Sequence, residues 1–266
     1  MPDFTHELSR RLEAIREQGL YREVRPVASA QGPRLELNGR TLLNFSSNDY
    51  LGLANDPQLR AASTAAVERY GAGCGAARLV CGSLAPHQEL EEALAAFKGA
   101  EAALSFSSGY ATALGSLPAL LHPRDVVVID KLAHACLVDA ARLSGAKLRV
   151  FAHNDLNDLE RILRWADRRP ATAAHGPRGH TLIVTESVFS MDGDQAPLRE
   201  LVELKERFGA WLMLDEAHAT GLLGSRRRGL AEECGVSDRV EIQMGTLGKA
   251  LGSAGGFICG ARVLID

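Results

Sequence analysis

Lys249 lies in the segment GTLGKALGSAGGF, residues 245–257, where most of its neighbours are glycines or other small residues. Lysine is ordinarily a surface residue whose long side chain extends into solvent, so its place in a tight turn needs an explanation. Three interpretations compete. The loop could cradle a nucleotide phosphate, it could be a surface turn with an incidental lysine, or it could be a close-fitting site in which the amine is a nucleophile.

The phosphate-loop interpretation fits the residues around Lys249 poorly. A nucleotide-binding loop of the Walker type needs glycine six residues before the lysine and a serine or threonine after it. Here those positions hold Gln243 and Ala250. Residues 215–218 read DEAH, as in one class of helicases, but without the phosphate loop we attribute this match to chance.

Asp215 follows the apolar run WLML, so it lies at the carboxyl end of a predicted strand, where open α/β sheets bind their ligands. His218 comes three residues later, and the two side chains can point the same way if the chain begins to coil. A carboxylate at this place can keep a ring nitrogen protonated, because negative charge raises the pKa of a cationic partner. The alternative is that Asp215 only caps the next helix.

Three further groups follow predicted strands. The sequence Ser107-Ser108-Gly109-Tyr110 opens a helix, and the free N–H groups of a helix start bind phosphate, although many helix starts look alike. His134 follows the run DVVVID, and a lone histidine of this kind is more often structural than catalytic. Ser190 lies where the run TLIVTES leads into a Gly-Asp turn.

The order of these groups along the chain is informative. A helix start suited to phosphate, a histidine, a serine turn, a strand-end aspartate and a lysine in a glycine-rich turn are what a pyridoxal phosphate (PLP) site requires. In such sites the lysine binds the cofactor covalently and the aspartate pairs with the pyridinium nitrogen.

Short β-rich runs alternate with segments of helical period. The runs are 102–109, 125–130, 148–151, 181–187, 211–218, 240–245 and 255–260. The helical segments are ATALGSLPALL, AHACLVDAARLSG, DLERILRWADRR and LRELVELKERFG, with Asn154-Asp155 as a predicted N-cap and Gly209 as a predicted C-cap. This alternation predicts an α/β fold with a mostly parallel sheet covered by helices. We expect a helix and an arm over 1–45, a large domain over 46–266, and a surface loop over 168–180.

Composition narrows the function classes. The chain has 266 residues, 46% of them hydrophobic, and a net charge of −3, which favours neither a nucleic-acid nor a membrane partner. Its five cysteines are scattered and have no C-x-x-C spacing, so we predict reduced thiols, no metal site and a cytoplasmic location.

Six motifs, in a fixed order along the chain, resemble those of a known enzyme family. They are NFSSNDYLGLA (44–54), GAGCGAARLVCG (71–82), FAHNDLNDLE (151–160), SVFSMDGDQAPL (187–198), LDEAHATGLLG (214–224) and TLGKALGSAGGF (246–257). Together they resemble the α-oxoamine synthases, a branch of the fold-type I PLP-dependent enzymes, over nearly the whole chain from Leu20 onward. The resemblance implies a fold-type I large domain with a mostly parallel, seven-stranded sheet flanked by helices.

The resemblance also implies roles for single residues. Lys249 would be the cofactor-binding lysine and the catalytic base, and Asp215 would pair with the ring nitrogen. His134 would stack on the ring and contribute to substrate binding and catalysis. Arg22 matches an arginine that contacts the acyl substrate in family members.

Five more positions match cofactor contacts in the family. Thr246 would contact the cofactor phosphate, and Gly109 and Tyr110 would contact the phosphate or the ring. His218 and Ser190 would bracket the phenolic oxygen of the ring.

Within the family, the motifs resemble those of the homodimeric enzymes that join L-alanine to a pimeloyl thioester, carried by coenzyme A or an acyl carrier protein, in biotin synthesis. The alternatives are glycine acetyltransferase, 5-aminolevulinate synthase, or a fragment that binds cofactor without turnover. Two departures stand out: Cys74 and Ala76-Ala77 replace serines common in the glycine-rich segment, and the chain stops at Asp266. We therefore expect a family member cut off after its cofactor-binding domain, without the small C-terminal domain.

Overall fold

The computed structural model describes residues 3–169 and 179–266. The predicted surface loop over 168–180 lies largely outside the described residues. The chain forms two compact units, Met1–Ser47 and Asn48–Asp266.

The first unit contains one helix and a β-hairpin. Asp3 caps the helix by accepting a hydrogen bond from the Thr5 amide, and the hairpin turns at Asn38-Gly39, where both residues have positive φ (51° and 70°). The elements are α1 (Phe4–Glu17), β1 (Arg34–Leu37) and β2 (Arg40–Leu43). The hairpin was not predicted, since only a helix and an arm were expected here. Asn-Gly between apolar runs is nevertheless the strongest short-range hairpin signal.

The second unit contains all seven predicted strands and all four predicted helices. The helices are α2 (Pro57–Tyr70), α3 (Arg78–Cys81), α4 (Ala85–Lys98), α5 (Gly109–Leu120), α6 (Ala135–Leu143), α7 (Leu156–Asp167), α8 (Leu198–Arg207), α9 (Leu230–Glu233) and α10 (Arg262–Ile265). The strands are β3 (Ala102–Phe106), β4 (Val126–Asp130), β5 (Lys147–Phe151), β6 (Thr181–Glu186), β7 (Trp211–Asp215), β8 (Ile242–Thr246) and β9 (Gly256–Gly260). Among the described residues, no helix is long and apolar enough to cross a membrane.

Two helix ends were predicted from single residues. Asp155 caps α7 as predicted, because its carboxylate accepts hydrogen bonds from the amides of Asn157 and Asp158 at 2.9 and 3.0 Å. At the end of α8 the cap is Phe208 rather than Gly209. Gly209 is the next residue and takes the left-handed conformation, with φ at 58°, that commonly follows a helix.

The seven strands form one sheet in the order β3-β9-β8-β7-β6-β4-β5. Strands β5, β4, β6, β7 and β8 pair in parallel, and β9 is antiparallel to both β8 and β3. Because β9 is reversed between them, β3 runs in the same direction as β8. The mostly parallel, seven-stranded sheet expected from the sequence is therefore confirmed.

Helices cover both faces of this sheet. Val126 and Val128 pack with apolar residues of α7 and α8, whereas Val127 and Ile129 pack with those of α5 and α6. Successive residues of a strand point to opposite faces, so a strand covered on both sides must be apolar throughout. This is why DVVVID shows no alternation of polar and apolar residues.

A buried ion pair fixes the chain just after β7. The amine of Lys98, the last residue of α4, donates hydrogen bonds to the Glu216 carboxylate and to the backbone carbonyl of Arg228, and both charged side chains are fully buried. The other oxygen of Glu216 accepts a hydrogen bond from the Ala231 amide at 2.9 Å. Glu216 directly follows Asp215, so this pair holds the backbone of the strand end.

We expect Lys98→Met to destabilise the fold by about 3–5 kcal/mol, because it leaves the Glu216 carboxylate buried without its counter-charge. Urea unfolding followed by circular dichroism measures the loss. Arg239→Met is the matched control, since Arg239 pairs with Glu206 on the surface and its removal should cost far less. Equal losses of unfolding free energy in the two variants would contradict the stabilising role of the Lys98–Glu216 pair.

Candidate active site

The candidate residues converge on one edge of the sheet. Each of four follows the end of a parallel strand by three or four positions: His134 after β4, Ser190 after β6, His218 after β7 and Lys249 after β8. Strand β3 ends at the same edge and leads into α5, which begins at Gly109. The carboxyl edge predicted from the sequence therefore carries all of these residues.

Lys249 contacts His218 directly. Its Nζ lies 2.8 Å from Nε2 of His218, and Nδ1 of the same ring lies 2.7 Å from the hydroxyl of Tyr50. The Tyr50 hydroxyl also donates to Oδ1 of Asn48 at 3.2 Å. A neutral imidazole satisfies the whole series, with the lysine donating to Nε2, Nδ1–H donating to Tyr50 and Tyr50 donating to Asn48.

Two causes keep His218 neutral. Burial lowers its pKa, and the charges of Lys249 and His134 lower it further, to about 4. Burial also lowers the pKa of Lys249, against the opposing effect of the negative charges of Asp215 and Glu186. The site therefore favours an uncharged amine more than water does, which a lysine needs to act as nucleophile or base.

The turn that carries Lys249 depends on its glycines. Gly252 has φ at 63°, and a Cβ there would lie 2.5 Å from the backbone carbon of Leu53. The Gly252 amide donates to the Lys249 carbonyl at 3.0 Å, and the Leu247 amide donates to the Gly255 carbonyl at 3.0 Å. These contacts fold the chain back on itself and aim the lysine at His218.

Two carboxylates lie side by side at this edge. Glu186 and Asp215 are paired residues at the ends of β6 and β7, and both are buried. Burial raises the pKa of Glu186, and the neighbouring charge of Asp215 raises it further, to about 7. Burial likewise raises the pKa of Asp215, although the Ala217 amide donates to it at 2.9 Å and Lys249 opposes the shift. An additional cation at this place would relieve the excess of negative charge.

Glu186 was not among the residues predicted from the sequence, and it holds a central place in the site. Its carboxylate accepts hydrogen bonds from the His134 amide at 2.6 Å and from the Ser190 amide. It thereby joins the segments that follow β4 and β6. Its position at the end of the run TLIVTE, equivalent to that of Asp215 after WLML, was the signal that could have found it.

His134 itself caps α6. Its Nδ1 accepts a hydrogen bond from the Cys136 amide at 3.3 Å, and the residue is exposed. The structural interpretation of a lone histidine and the predicted stacking role are compatible here, because the capping contact uses the ring edge and stacking would use its face.

The start of α5 lies against Thr246. A Cβ on Gly109 would lie 3.8 Å from Cβ of Thr246, so the two residues are neighbours. Ser108 caps the helix, since its hydroxyl accepts from the Ala111 amide at 3.0 Å. The Thr246 hydroxyl accepts from the Gly248 amide at 3.2 Å and donates to the Gly255 carbonyl at 2.9 Å. A helix start beside a hydroxyl is a suitable environment for a phosphate.

The remaining two predicted residues are Tyr110 and Arg22. The Tyr110 hydroxyl donates to Asp139 at 3.1 Å and the side chain is about half exposed. Arg22 belongs to the first compact unit and is exposed. Its predicted contact with an acyl substrate stays a prediction.

We expect His218 to titrate near pH 4, well below the ~6.5 of an unperturbed histidine, because burial and Lys249 both disfavour its cation. Histidine ring NMR against pH measures this in the cofactor-free protein. Lys249→Met should raise the pKa, since a positive charge is lost, while burial keeps it below the ordinary value. Titration of His218 at pH 6.5 or above in the unmodified protein would contradict the described contacts.

Comparisons with known proteins agree with this geometry. The 8-amino-7-oxononanoate synthase of Anaeromyxobacter sp. (strain Fw109-5) is 52% identical over 259 residues, which are 97% of this chain and 63% of that protein. The enzyme of the same name from Geobacter sulfurreducens is 50% identical over 262 residues, which are 98% of this chain and 65% of that protein. The chain thus spans a little under two thirds of the length of these relatives.

A solved structure and a family model point the same way. Serine palmitoyltransferase from S. paucimobilis with a bound PLP–myriocin adduct superimposes with a TM-score of 0.86 at 29% identity, covering 96% of this chain and 63% of that one. The family model for class I and II aminotransferases matches residues 40–266. The chain belongs to the class I and II aminotransferase family.

Proposed function

We propose that this chain acts in 8-amino-7-oxononanoate synthesis, the PLP-dependent decarboxylative condensation of L-alanine with a pimeloyl thioester in biotin biosynthesis. The products are 8-amino-7-oxononanoate, carbon dioxide and the free thiol. The observation that carries the proposal is a Lys249 amine 2.8 Å from Nε2 of His218, at the same edge of the sheet where the buried Asp215 ends β7. The relatives of about 50% identity that bear this enzyme's name support the choice of reaction.

The residues at the carboxyl edge fit PLP. Asp215 and Glu186 leave the site short of positive charge, which a protonated pyridine nitrogen beside Asp215 would supply. In the proposal Asp215 holds that nitrogen and Lys249 binds the cofactor covalently. The remaining contacts are His134 on the ring face, His218 and Ser190 at the phenolic oxygen, and Gly109, Tyr110 and Thr246 at the phosphate or ring.

When bound, PLP supplies an electron-withdrawing ring that stabilises negative charge at the substrate Cα. The protein supplies the base and the environment. Lys249, whose pKa burial lowers, takes the Cα proton when its amine is free. Neutral His218 can accept a hydrogen bond from that amine without adding a charge, and so holds it in place. Beside a protonated ring nitrogen Asp215 would be ionised, and its buried position would strengthen its effect on the ring.

The carbon–carbon bond forms between the L-alanine Cα and the thioester carbonyl, and the thiol leaves. The carboxylate then leaves as carbon dioxide, and Cα takes up a proton to give the product. Arg22 is our proposed contact for the acyl chain. Another α-oxoamine synthase activity is less supported, because the two relatives with 50% identity or more both bear the name of the proposed enzyme.

We propose a homodimer as the working form. Helix α3, in the glycine-rich segment, presents Leu79 and Val80 to solvent at 101% and 80% exposure. Adjacent, fully exposed apolar side chains are typical of a surface that another chain covers.

The free cysteines of the described chain support a reducing, cytoplasmic location.

We expect PLP to form its covalent bond with Lys249. Borohydride reduction of the PLP-treated protein, followed by digestion and mass spectrometry, should place one reduced cofactor on the peptide that contains Lys249. Lys249→Ala should lose this label. Lys131→Ala is the matched control, since Lys131 is exposed just after β4 and its removal should leave the label in place. Stoichiometric labelling of Lys249→Ala would contradict the role.

We expect L-alanine to perturb the absorbance of the PLP-loaded protein at lower concentration than glycine, by about tenfold or more. One methyl group in a fitted pocket is worth about 1–3 kcal/mol. Titration of each amino acid into the same preparation measures the two half-saturation points. A preference for glycine would favour the glycine-specific members of the family.

A further inference from the structure

The motif FAHND, residues 151–155, places an imidazole between two carboxylates. Nδ1 of His153 lies 2.9 Å from Oδ1 of Asp130, and Nε2 lies 2.8 Å from Oδ2 of Asp194. The Asp130 side chain is fully buried, while that of Asp194 is 43% exposed. The motif is prominent in the sequence, and the cofactor contacts described above do not use it.

This arrangement selects the protonated ring. An ionised carboxylate only accepts hydrogen bonds, so two carboxylates on two ring nitrogens require both nitrogens to carry a proton. Burial alone would lower the pKa of His153, but hydrogen bonds and charge from Asp130 and Asp194 outweigh it and raise the pKa. An imidazolium here makes two charge-assisted hydrogen bonds, which are stronger than neutral ones.

Each carboxylate holds a different segment of the active site. Asp130 ends β4, and its Oδ1 also accepts from the Leu132 amide at 2.8 Å, two residues before His134. Asp194 belongs to the turn that carries Ser190, where the Phe189 amide donates to the Asp194 carbonyl at 2.9 Å. His153 thus connects the segment that presents His134 with the turn that presents Ser190.

Asn154 reinforces the connection. It adopts the left-handed conformation, with φ at 54°, which asparagine tolerates better than most residues. Its backbone amide donates to Oδ2 of Asp130 at 2.9 Å, and its side-chain amide donates to Oδ2 of Asp194 at 2.9 Å. The His153 ring also meets the buried Phe189 ring edge-on, with centroids 4.4 Å apart. The link therefore combines hydrogen bonds at the ring nitrogens with an aromatic contact.

We propose that His153 is a positioning residue: as the bridge between Asp130 and Asp194, it sets the distance between the segment that carries His134 and the turn that carries Ser190. Glu186 joins the same two segments from inside the site, through their backbone amides. The two links together fix the spacing of these segments, beside which the ring of PLP would bind in the proposed function. The reference to a ring rests on the proposed function, whereas the link between the segments does not.

The first experiment needs no cofactor. His153→Gln keeps one donor but loses the charge and the second contact, so the ring NMR resonances of His134 should shift. His180→Gln is the matched control, because His180 precedes β6 at the opposite edge and stacks on Trp211. In the unmodified protein His153 should titrate above ~6.5. A His134 resonance that moves in neither variant, or equally in both, would overturn the proposal, as would titration of His153 at or below the ordinary value.

The second experiment measures PLP affinity by fluorescence. His153→Gln should raise the Kd by about tenfold or more, the scale known for residues that orient ligands at metal sites, while His180→Gln should leave it within twofold. Asp194→Asn is the substitute if His153→Gln does not fold, because asparagine keeps the shape of the aspartate side chain and one acceptor oxygen. It should lower the pKa of His153 and raise the Kd for PLP by less than His153→Gln does. An unchanged Kd in folded His153→Gln would refute the positioning role. If the unmodified protein binds no PLP, the proposed function fails, and the NMR experiment still decides whether His153 links the segments.

Discussion

The common direction of six strands is the constraint on which the rest of the structure depends. Because β3, β4, β5, β6, β7 and β8 run the same way, their carboxyl ends lie along one edge of the sheet. Helices cover both faces, so that edge is where loops are free to carry polar groups. Residues far apart in the chain, such as His134 and Lys249, therefore lie at the same edge of the sheet.

Buried negative charge at this edge must be compensated by nearby donors and cations. Three carboxylates, Glu186, Asp215 and Glu216, lie at the ends of β6 and β7, and burying each without compensation is costly. Glu216 has Lys98 as a counter-charge, and Glu186 accepts two backbone amides. Asp215 has the Ala217 amide and the more distant charge of Lys249. Because its two neighbours are better compensated, Asp215 is the carboxylate best placed to bind a cationic ligand. This is why we propose that it pairs with the ring nitrogen.

The strands and most of the residues at their carboxyl ends could be predicted from the sequence, for a physical reason. Strands buried on both faces are continuous apolar runs, so their ends, and the residues after them, are visible in the sequence. Asp215, His218 and His134 were predicted in that way, and Lys249 from the glycine-rich turn around it. Glu186 was not, because it was taken as part of its strand although it occupies the same kind of position as Asp215.

Contacts between distant segments were beyond sequence reasoning. Tyr50 meets His218 across 168 residues, and His153 meets Asp130 and Asp194 across 23 and 41 residues. No spacing rule predicts such pairs, because they depend on which strands become neighbours in the sheet. The hairpin at Asn38-Gly39 is a different case, since its signal was local and was overlooked.

A crystal structure of the chain with PLP is the measurement that tests the central claim most directly. The account predicts the ring nitrogen within hydrogen-bond distance of the Asp215 carboxylate, the phosphate at the start of α5 beside Thr246, and continuous density from Lys249 to the cofactor. A cofactor bound elsewhere, or with its ring nitrogen turned away from Asp215, would contradict the account, even if Lys249 were modified.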